Sequence, residues 1–258
     1  MDEVHEVTEL ITPGPAQALA GLLGVPVADE ELPLLWHWVY LLDRPPQDAL
    51  GPDGHQHRGG MPVPPGPGLR RMFAGGRVWR HGELRIGAGA TRRTWQASSA
   101  RKEGRSGPLA FVTVRTEVSQ GGQAVITEEQ DLVYREPGAN SAARSAPIVA
   151  AAGQDRTVAV DPVLLFRFSA LTYNAHRIHY DRDYARAEGY PGLVVHGPLQ
   201  ALLMAEQARP FGSEYSYRLV APLYEDQGLV VSATPEGEAI DVSCRDASGR
   251  VTATGVLR

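Results

Sequence analysis

The run Gly197-Pro-Leu-Gln-Ala-Leu-Leu-Met-Ala-Glu-Gln-Ala208 is apolar on nearly every side of a helical repeat. It constrains the fold more than any other stretch, because a helix with no watery face has to be enclosed by other elements. The segments after it are suited to that task. Residues 215–223, 229–234, 239–245 and 251–257 alternate or are rich in β-branched residues, with Asp246-Ala-Ser-Gly249 as a hairpin turn. One buried helix followed by antiparallel strands is an α+β layout.

The same order occurs twice. Ahead of the apolar helix, Asp161-Pro162 reads as cap and first residue of a short helix through Leu171, and 183–188 as a further turn ended by Gly189 and Pro191. The first half offers helical candidates at Pro13–Leu23 and Leu35–Leu42, then strands at 77–85, 88–99, 109–119 and 124–135. This repetition of element order reads as an internal duplication. It predicts domains at 1–136 and 157–258, joined by a small, polar, aperiodic connector at 137–156. Between Arg44 and Gly68 lie seven prolines and six glycines, too long a stretch for a simple connection and expected to cover a site.

Composition narrows the function. A net charge of -5 gives no general reason to bind nucleic acid. The single cysteine, Cys244, excludes an internal disulfide and a cysteine-based zinc site. No apolar run approaches the roughly 18 residues of a membrane-spanning helix, and the acidic N-terminus lacks a signal pattern. A soluble cytoplasmic protein is expected.

The chemistry concentrates in Phe168-Ser-Ala-Leu-Thr-Tyr-Asn-Ala-His-Arg-Ile-His-Tyr-Asp181 and in Val195-His-Gly-Pro198. At the junction of a helix and an extended segment, Asn174, His176 and His179 can converge on one point, whereas a regular strand would send 176 and 179 to opposite faces. Histidine accepts and returns protons near neutral pH. Asparagine can hold a water but cannot act as a base. Gly197 opens the apolar helix, so its N–H suits an oxygen that gains negative charge. Base, water holder and oxyanion donor form the set needed to add water across a double bond conjugated to a carbonyl. A metal on His176 and His179 would need a further ligand such as Asp181 or His196, and a metal-free site is the expectation. No nucleophile elbow, P-loop or dinucleotide fingerprint occurs.

The stretch Leu171-Thr-Tyr-Asn-Ala-His-Arg-Ile-His-Tyr-Asp-Arg-Asp-Tyr-Ala185, followed by Gly192-Leu-Val-Val-His-Gly-Pro-Leu199, resembles the MaoC-like (R)-specific enoyl-thioester hydratases. Within them it is similar to the type 2 hydroxyacyl-thioester dehydratases and mesaconyl-C4-CoA hydratases. First-half segments Leu34-Leu-Trp-His-Trp-Val-Tyr40, Leu69-Arg-Arg-Met-Phe-Ala-Gly-Gly76 and Lys102-Glu-Gly-Arg-Ser-Gly-Pro-Leu-Ala-Phe-Val-Thr-Val114 carry the same resemblance.

The resemblance implies a double hot-dog fold with a catalytic second half and a degenerate first half that supplies pocket walls. It implies a hydro-lyase acting between enoyl and 3-hydroxyacyl thioesters, with His179 catalytic, Gly197 the carbonyl-oxygen donor, and Asn174 and His176 placing the water. Asn174 stands where the family pattern Asp-x-Asn-Pro-x-His begins with its acid. Tyr173, His196, Trp36 and Arg71 are the expected substrate contacts, and Arg70, Arg92, Arg93, Arg101 and Lys102 are further cations for phosphates. No cofactor is expected, since coenzyme A or the phosphopantetheine of an acyl carrier protein arrives with the substrate. A homodimer or higher homo-oligomer is the expected assembly. The rival readings are a thioesterase on the same fold and a non-catalytic acyl-thioester-binding partner subunit.

Overall fold

Among the described residues, ten strands pair antiparallel into one sheet of order β1-β3-β4-β5-β2-β7-β10-β9-β8-β6. In chain order the elements are β1 (His5–Leu10), α1 (Pro13–Leu23), β2 (Arg70–Arg80), β3 (Gly89–Gly104), β4 (Gly107–Gln120), β5 (Gln123–Arg135) and β6 (Gln154–Val158). Then come α2 (Pro162–Leu171), α3 (Arg182–Ala187), α4 (Gly197–Gln207), β7 (Glu214–Leu219), β8 (Leu229–Glu236), β9 (Ala239–Arg245) and β10 (Val251–Leu257). The computed structural model describes residues 4–27, 29–57, 65–66, 69–104, 107–136, 147–148, 154–209 and 212–258. Among them, no helix is long and apolar enough to cross a membrane.

The apolar helix behaves as its sequence demands. Every residue of α4 from Leu199 to Glu206 is buried, and the helix packs on β8, β9 and β10. Leu199, Leu202, Leu203 and Met204 are almost wholly enclosed. Each such side chain contributes about 1.5–3 kcal/mol relative to exposure, far more than the propensity of a short helix could. The α2 start also follows its sequence, for Asp161 Oδ1 accepts from Leu164 N at 2.7 Å and Pro162 takes the first turn.

The two halves meet edge to edge where β2 pairs with β7, so one hydrophobic core runs through both. This seam explains why the first predicted strand was misplaced. β2 begins at Arg70 rather than Arg77 and ends at Arg80 rather than Arg85, because a bulge between Phe73 and Gly75 breaks its alternation. Gly75 has φ of 152°, and a Cβ there would lie 2.4 Å from the Tyr217 carbonyl oxygen. Two strands were not anticipated. β1 pairs with β3, and β6 pairs with β8, taking residues 154–156 out of the expected connector. Residues 137–146 and 149–153 of that connector lie outside the described residues. The helix expected at Leu35–Leu42 is a single 3-10 turn at Trp36–Val39, since Leu35 and Leu41 take positive φ values of 67° and 53°.

The seam can be tested at Gly76, where an added Cβ would come within 2.6 Å of both the Glu129 carbonyl oxygen and the Tyr217 hydroxyl. Gly76→Ala should lower the unfolding free energy by about 1–3 kcal/mol in a urea titration, as overpacking does. Gly89→Ala, with nothing within 4 Å of the new methyl, should stay within about 0.5 kcal/mol of the parent.

Candidate active site

The irregular backbone expected after α2 is held by its own side chains. Thr172 Oγ1 donates to the Phe168 carbonyl at 2.8 Å, Tyr173 turns to φ of 51°, and Asn174 Oδ1 accepts from His176 N at 3.0 Å. A 3-10 turn at Arg177–His179 then brings both histidine rings round to one side. Asp181 ends the turn by capping α3, accepting from Tyr184 N at 2.9 Å and from Arg177 Nη2 at 2.7 Å.

His179 is 7% exposed, and its Nδ1–H donates to the Val194 carbonyl at 2.7 Å. A carbonyl accepts only, so the neutral ring carries its lone pair on Nε2. Burial pushes its pKa down to about 4, with the Val194 bond opposing and the nearby His55 adding to the fall. His196 stacks on it at 3.6 Å between ring centres and 19° between planes. His176 meets it edge-on at 5.3 Å. Burial, then the charges of the other histidines, push His176 and His196 well below the ordinary histidine range. The cluster is therefore neutral at neutral pH and able to accept a proton.

A fourth histidine, missed in the sequence, completes the group. His55, on the Pro-rich loop of the first half, lies 3.9 Å from His176 between ring centres. Its Nδ1 bonds Asp53 Oδ2 at 2.9 Å and its backbone N bonds Asp53 Oδ1 at 3.0 Å. Burial raises the Asp53 carboxyl, but the bonds and charge of His55 outweigh it and hold the group well below the usual carboxylate range. The signal was the Gly51-Pro-Asp-Gly-His55 turn inside a loop expected to cover a site. Nothing in one sequence joins that turn to residue 176.

Asp53, His55 and His176 offer three ligand atoms within 4.8 Å of one another, the one such trio among the described residues. Two ligands of a tetrahedral ion with bonds of about 2.0 Å would stand about 3.3 Å apart. The 2.9 Å between Asp53 and His55 fits a hydrogen bond better. The further ligands that a metal on His176 and His179 would need are engaged elsewhere, Asp181 with Arg177 and His196 Nε2 with Ser169 Oγ at 2.9 Å.

A cavity of about 1260 Å³ has a lining that includes His55, His176, His179, Gly197, Arg71 and Trp38. The Gly197 N–H, in the first turn of α4, has no intrahelical acceptor. Phe73 Cδ1 and Leu219 Cγ would lie 3.1 and 3.2 Å from a Cβ at Gly197, so the glycine also keeps this corner open. Tyr173 is 56% exposed at the cavity edge. The charge of Arg71 is felt by Tyr134, His55 and His176.

Two of the expected substrate contacts, Trp36 and His196, lie buried and outside the cavity lining. Trp36 is fully buried and donates to Glu206 Oε1 at 2.7 Å, which makes it core, while its neighbour Trp38 reaches the cavity. His196 is also fully buried and backs His179. Of the candidate phosphate cations, Arg70 pairs with Glu188 at 2.7 Å, Arg93 with Glu6 at 3.6 Å and Arg92 with Asp43, while Arg101 donates to the Pro65 carbonyl at 3.0 Å and Lys102 sits 5.3 Å over the Phe111 ring.

The family model for hydroxyacyl-thioester dehydratase type 2 matches residues 35–225. The mesaconyl-C(4)-CoA hydratase of Chloroflexus aurantiacus is 52% identical over 234 residues, covering 88% of this chain and 83% of that protein. Among solved structures, HtdX of Mycobacterium tuberculosis superposes with a TM-score of 0.72 at 17% identity over 99% of each chain. A second Mycobacterium tuberculosis protein, described as having a double hot-dog fold, matches with a TM-score of 0.56 at 15% identity over 99% of this chain and 94% of its own. The fold is thus the expected α+β double hot-dog, its two sheets merged at the β2–β7 seam.

The lowered histidine pKa values fix the sign of the stability profile. Below the ordinary value of 6.5 the unfolded chain binds protons that folded His179 refuses until about 4. Stability should therefore fall as pH drops from 6.5 toward 4, by up to about 1.4 kcal/mol per pH unit for each such histidine. Urea midpoints across that window should show the decline, and His179→Asn should make it shallower. A flat wild-type profile would contradict a neutral buried cluster.

Proposed function

The chain belongs to the type 2 hydroxyacyl-thioester dehydratase family, and from that premise we propose that it is a hydro-lyase interconverting enoyl and 3-hydroxyacyl thioesters. The observation that carries this reading is that His179, whose Nδ1 is engaged by the Val194 carbonyl so that Nε2 keeps the lone pair, lines the same cavity as Gly197. His179 removes a proton from water as the oxygen bonds to Cβ and the π pair moves onto the thioester oxygen. The Gly197 N–H, at the positive end of α4, stabilises that oxygen. A proton returned to Cα completes the addition of H and OH. His176 helps place the water, while the Asn174 side chain holds the turn that aims His176.

The half at 157–258 supplies the acid-base histidines of the helix motif, and the half at 1–136 supplies the opposite wall. Coenzyme A or a carrier-protein arm enters as part of the substrate, and the steps above use protein groups alone. The similarity to a mesaconyl-C(4)-CoA hydratase favours an acyl group that bears a free carboxylate on the carbon that water attacks. Arg71 supports that choice, because its charge lies at the histidine cluster and, among the described residues, it forms no ion pair with a carboxylate.

Incubation with crotonyl-CoA, mesaconyl-C4-CoA and itaconyl-CoA tests the reading if enoyl absorbance and free thiol are followed together. Loss of absorbance without thiol release is expected. Thiol release would make the protein a thioesterase, and no change with any of them would favour a binding subunit. His179→Ala should lower turnover at least about 100-fold, the scale of one acid-base group. Arg71→Ala should raise KM for mesaconyl-C4-CoA about 10-fold or more, as loss of a charge-assisted bond does. It should leave crotonyl-CoA, which has no carboxylate, nearly unaffected.

A further inference from the structure

We propose that His55 is a further catalytic residue, positioned by Asp53, and that this pair on the first-half loop supplies the acid-base partner for which the helix motif holds only Asn174. The inference deepens the hydratase reading and rests on it.

Asn174 is unable to fill the role. Its carboxamide cannot take a proton, and its oxygen already accepts from His176 N at 3.0 Å. Asp53 is the carboxylate that meets the histidine cluster, bonding His55 Nδ1 at 2.9 Å. An ionised carboxylate only accepts, so Nδ1 bears the hydrogen and the His55 Nε2 lone pair is left for the cavity that the residue lines. A carboxylate that fixes the tautomer of an imidazole and steadies its protonated form is a recurrent acid-base device.

The loop is fitted to the motif. Asp53 O accepts from Arg177 N at 2.9 Å, Pro52 O accepts from Arg177 Nη1 at 3.1 Å, and His55 O accepts from Gly51 N at 2.7 Å. Gly54 has φ of 87°, and a Cβ there would lie 1.8 Å from the Ala175 carbonyl oxygen. Only a glycine lets the loop press this closely on the backbone beside His176.

The pair also answers an electrostatic need. A proton taken up by the cluster makes a positive charge that faces Arg71 on β2 and the other histidine rings, with His176 and His179 nearest. Asp53 is the charge that offsets it. In the proposed sequence His179 takes the proton from water, and the proton crosses His176, whose ring centre is 5.3 Å from His179 and 3.9 Å from His55. His55 then gives it to Cα as the enolate pair returns to carbon. One water is consumed, and every histidine ends neutral.

The test compares wild type with His55→Ala, His55→Gln and Asp53→Asn in the full-length protein, each checked for a native circular-dichroism spectrum and melting transition. With mesaconyl-C4-CoA, His55→Ala should lose at least about 100-fold in kcat, change KM less than about threefold, and recover in part with added imidazole. Asp53→Asn should lower kcat and move the acid limb of kcat/KM to lower pH, because removing the negative charge makes histidinium easier to deprotonate. Retention of kcat by His55→Ala, or loss with neither imidazole rescue nor a moved limb, would overturn the proposal. So would wild-type activity abolished by EDTA and restored by zinc, which would make the trio a metal site. If wild type turns over none of the thioesters, the hydratase reading fails instead. The pairing is then judged by NMR titration of the His55 ring, whose midpoint should fall in Asp53→Asn, an unchanged midpoint counting against it.

Discussion

One hydrogen bond sets the tautomer on which the proposed chemistry depends. By accepting from His179 Nδ1, the Val194 carbonyl decides which nitrogen of the buried ring keeps a lone pair and which way that lone pair points. Val194 is itself fixed, for its N–H donates to the Ile178 carbonyl at 3.0 Å, and Val195 N donates to Leu223 O at 2.8 Å. The segment that presents the acceptor is therefore tied both to the histidine motif and to the chain leading out of β7. Three residues further on, α4 begins and offers Gly197. The base and oxyanion donor proposed above are thus both tied to one short stretch, and burial of the helix behind it keeps them in place.

The second constraint is the seam. Because β2 pairs with β5 on one side and β7 on the other, the first-half wall and the second-half motif share a rigid sheet. Phe73, beside the bulge in β2, packs on the Tyr217 ring at 6.0 Å and reaches Gly197. The bulge at the seam therefore also shapes the corner at Gly197. A cavity between two such halves needs neither half to be complete, which explains how the first can lack the histidine motif and still matter.

Local physics made much of this visible in sequence. The apolar run at 197–208, the Asp161-Pro162 cap and the strands from 229 onward each follow from patterns of a few residues, and the helix motif with Gly197 was readable as one site. Contacts between distant segments were not readable. Trp36 and Trp38 look alike in sequence, yet the 3-10 turn sends one to Glu206 in the core and the other to the cavity. β2 was misplaced because a bulge spoils the alternation used to find strands. Asp53 and His55 were hidden because their meaning depends on lying against His176, more than a hundred residues away.

The cavity lining also includes a carboxylate, and its bonding bears on which reaction the cavity supports. Glu128 is 2% exposed. Burial raises its pKa, but bonds from His37, Trp38 and Gln130, with the His37 charge, hold it below the usual range. His37 Nε2 lies 2.8 Å from Oε2, Trp38 Nε1 lies 3.0 Å from both oxygens, and Gln130 Nε2 lies 2.8 Å from Oε1. A carboxylate offers about four lone-pair sites, so these four contacts occupy it. Acting as a nucleophile or a general base would require Glu128 to shed a donor in a dry interior, leaving that donor unpaired at a cost of about 1–3 kcal/mol. The bonding of this carboxylate holds Trp38 at the cavity, and in the proposed reaction proton transfer is left to the neutral histidines.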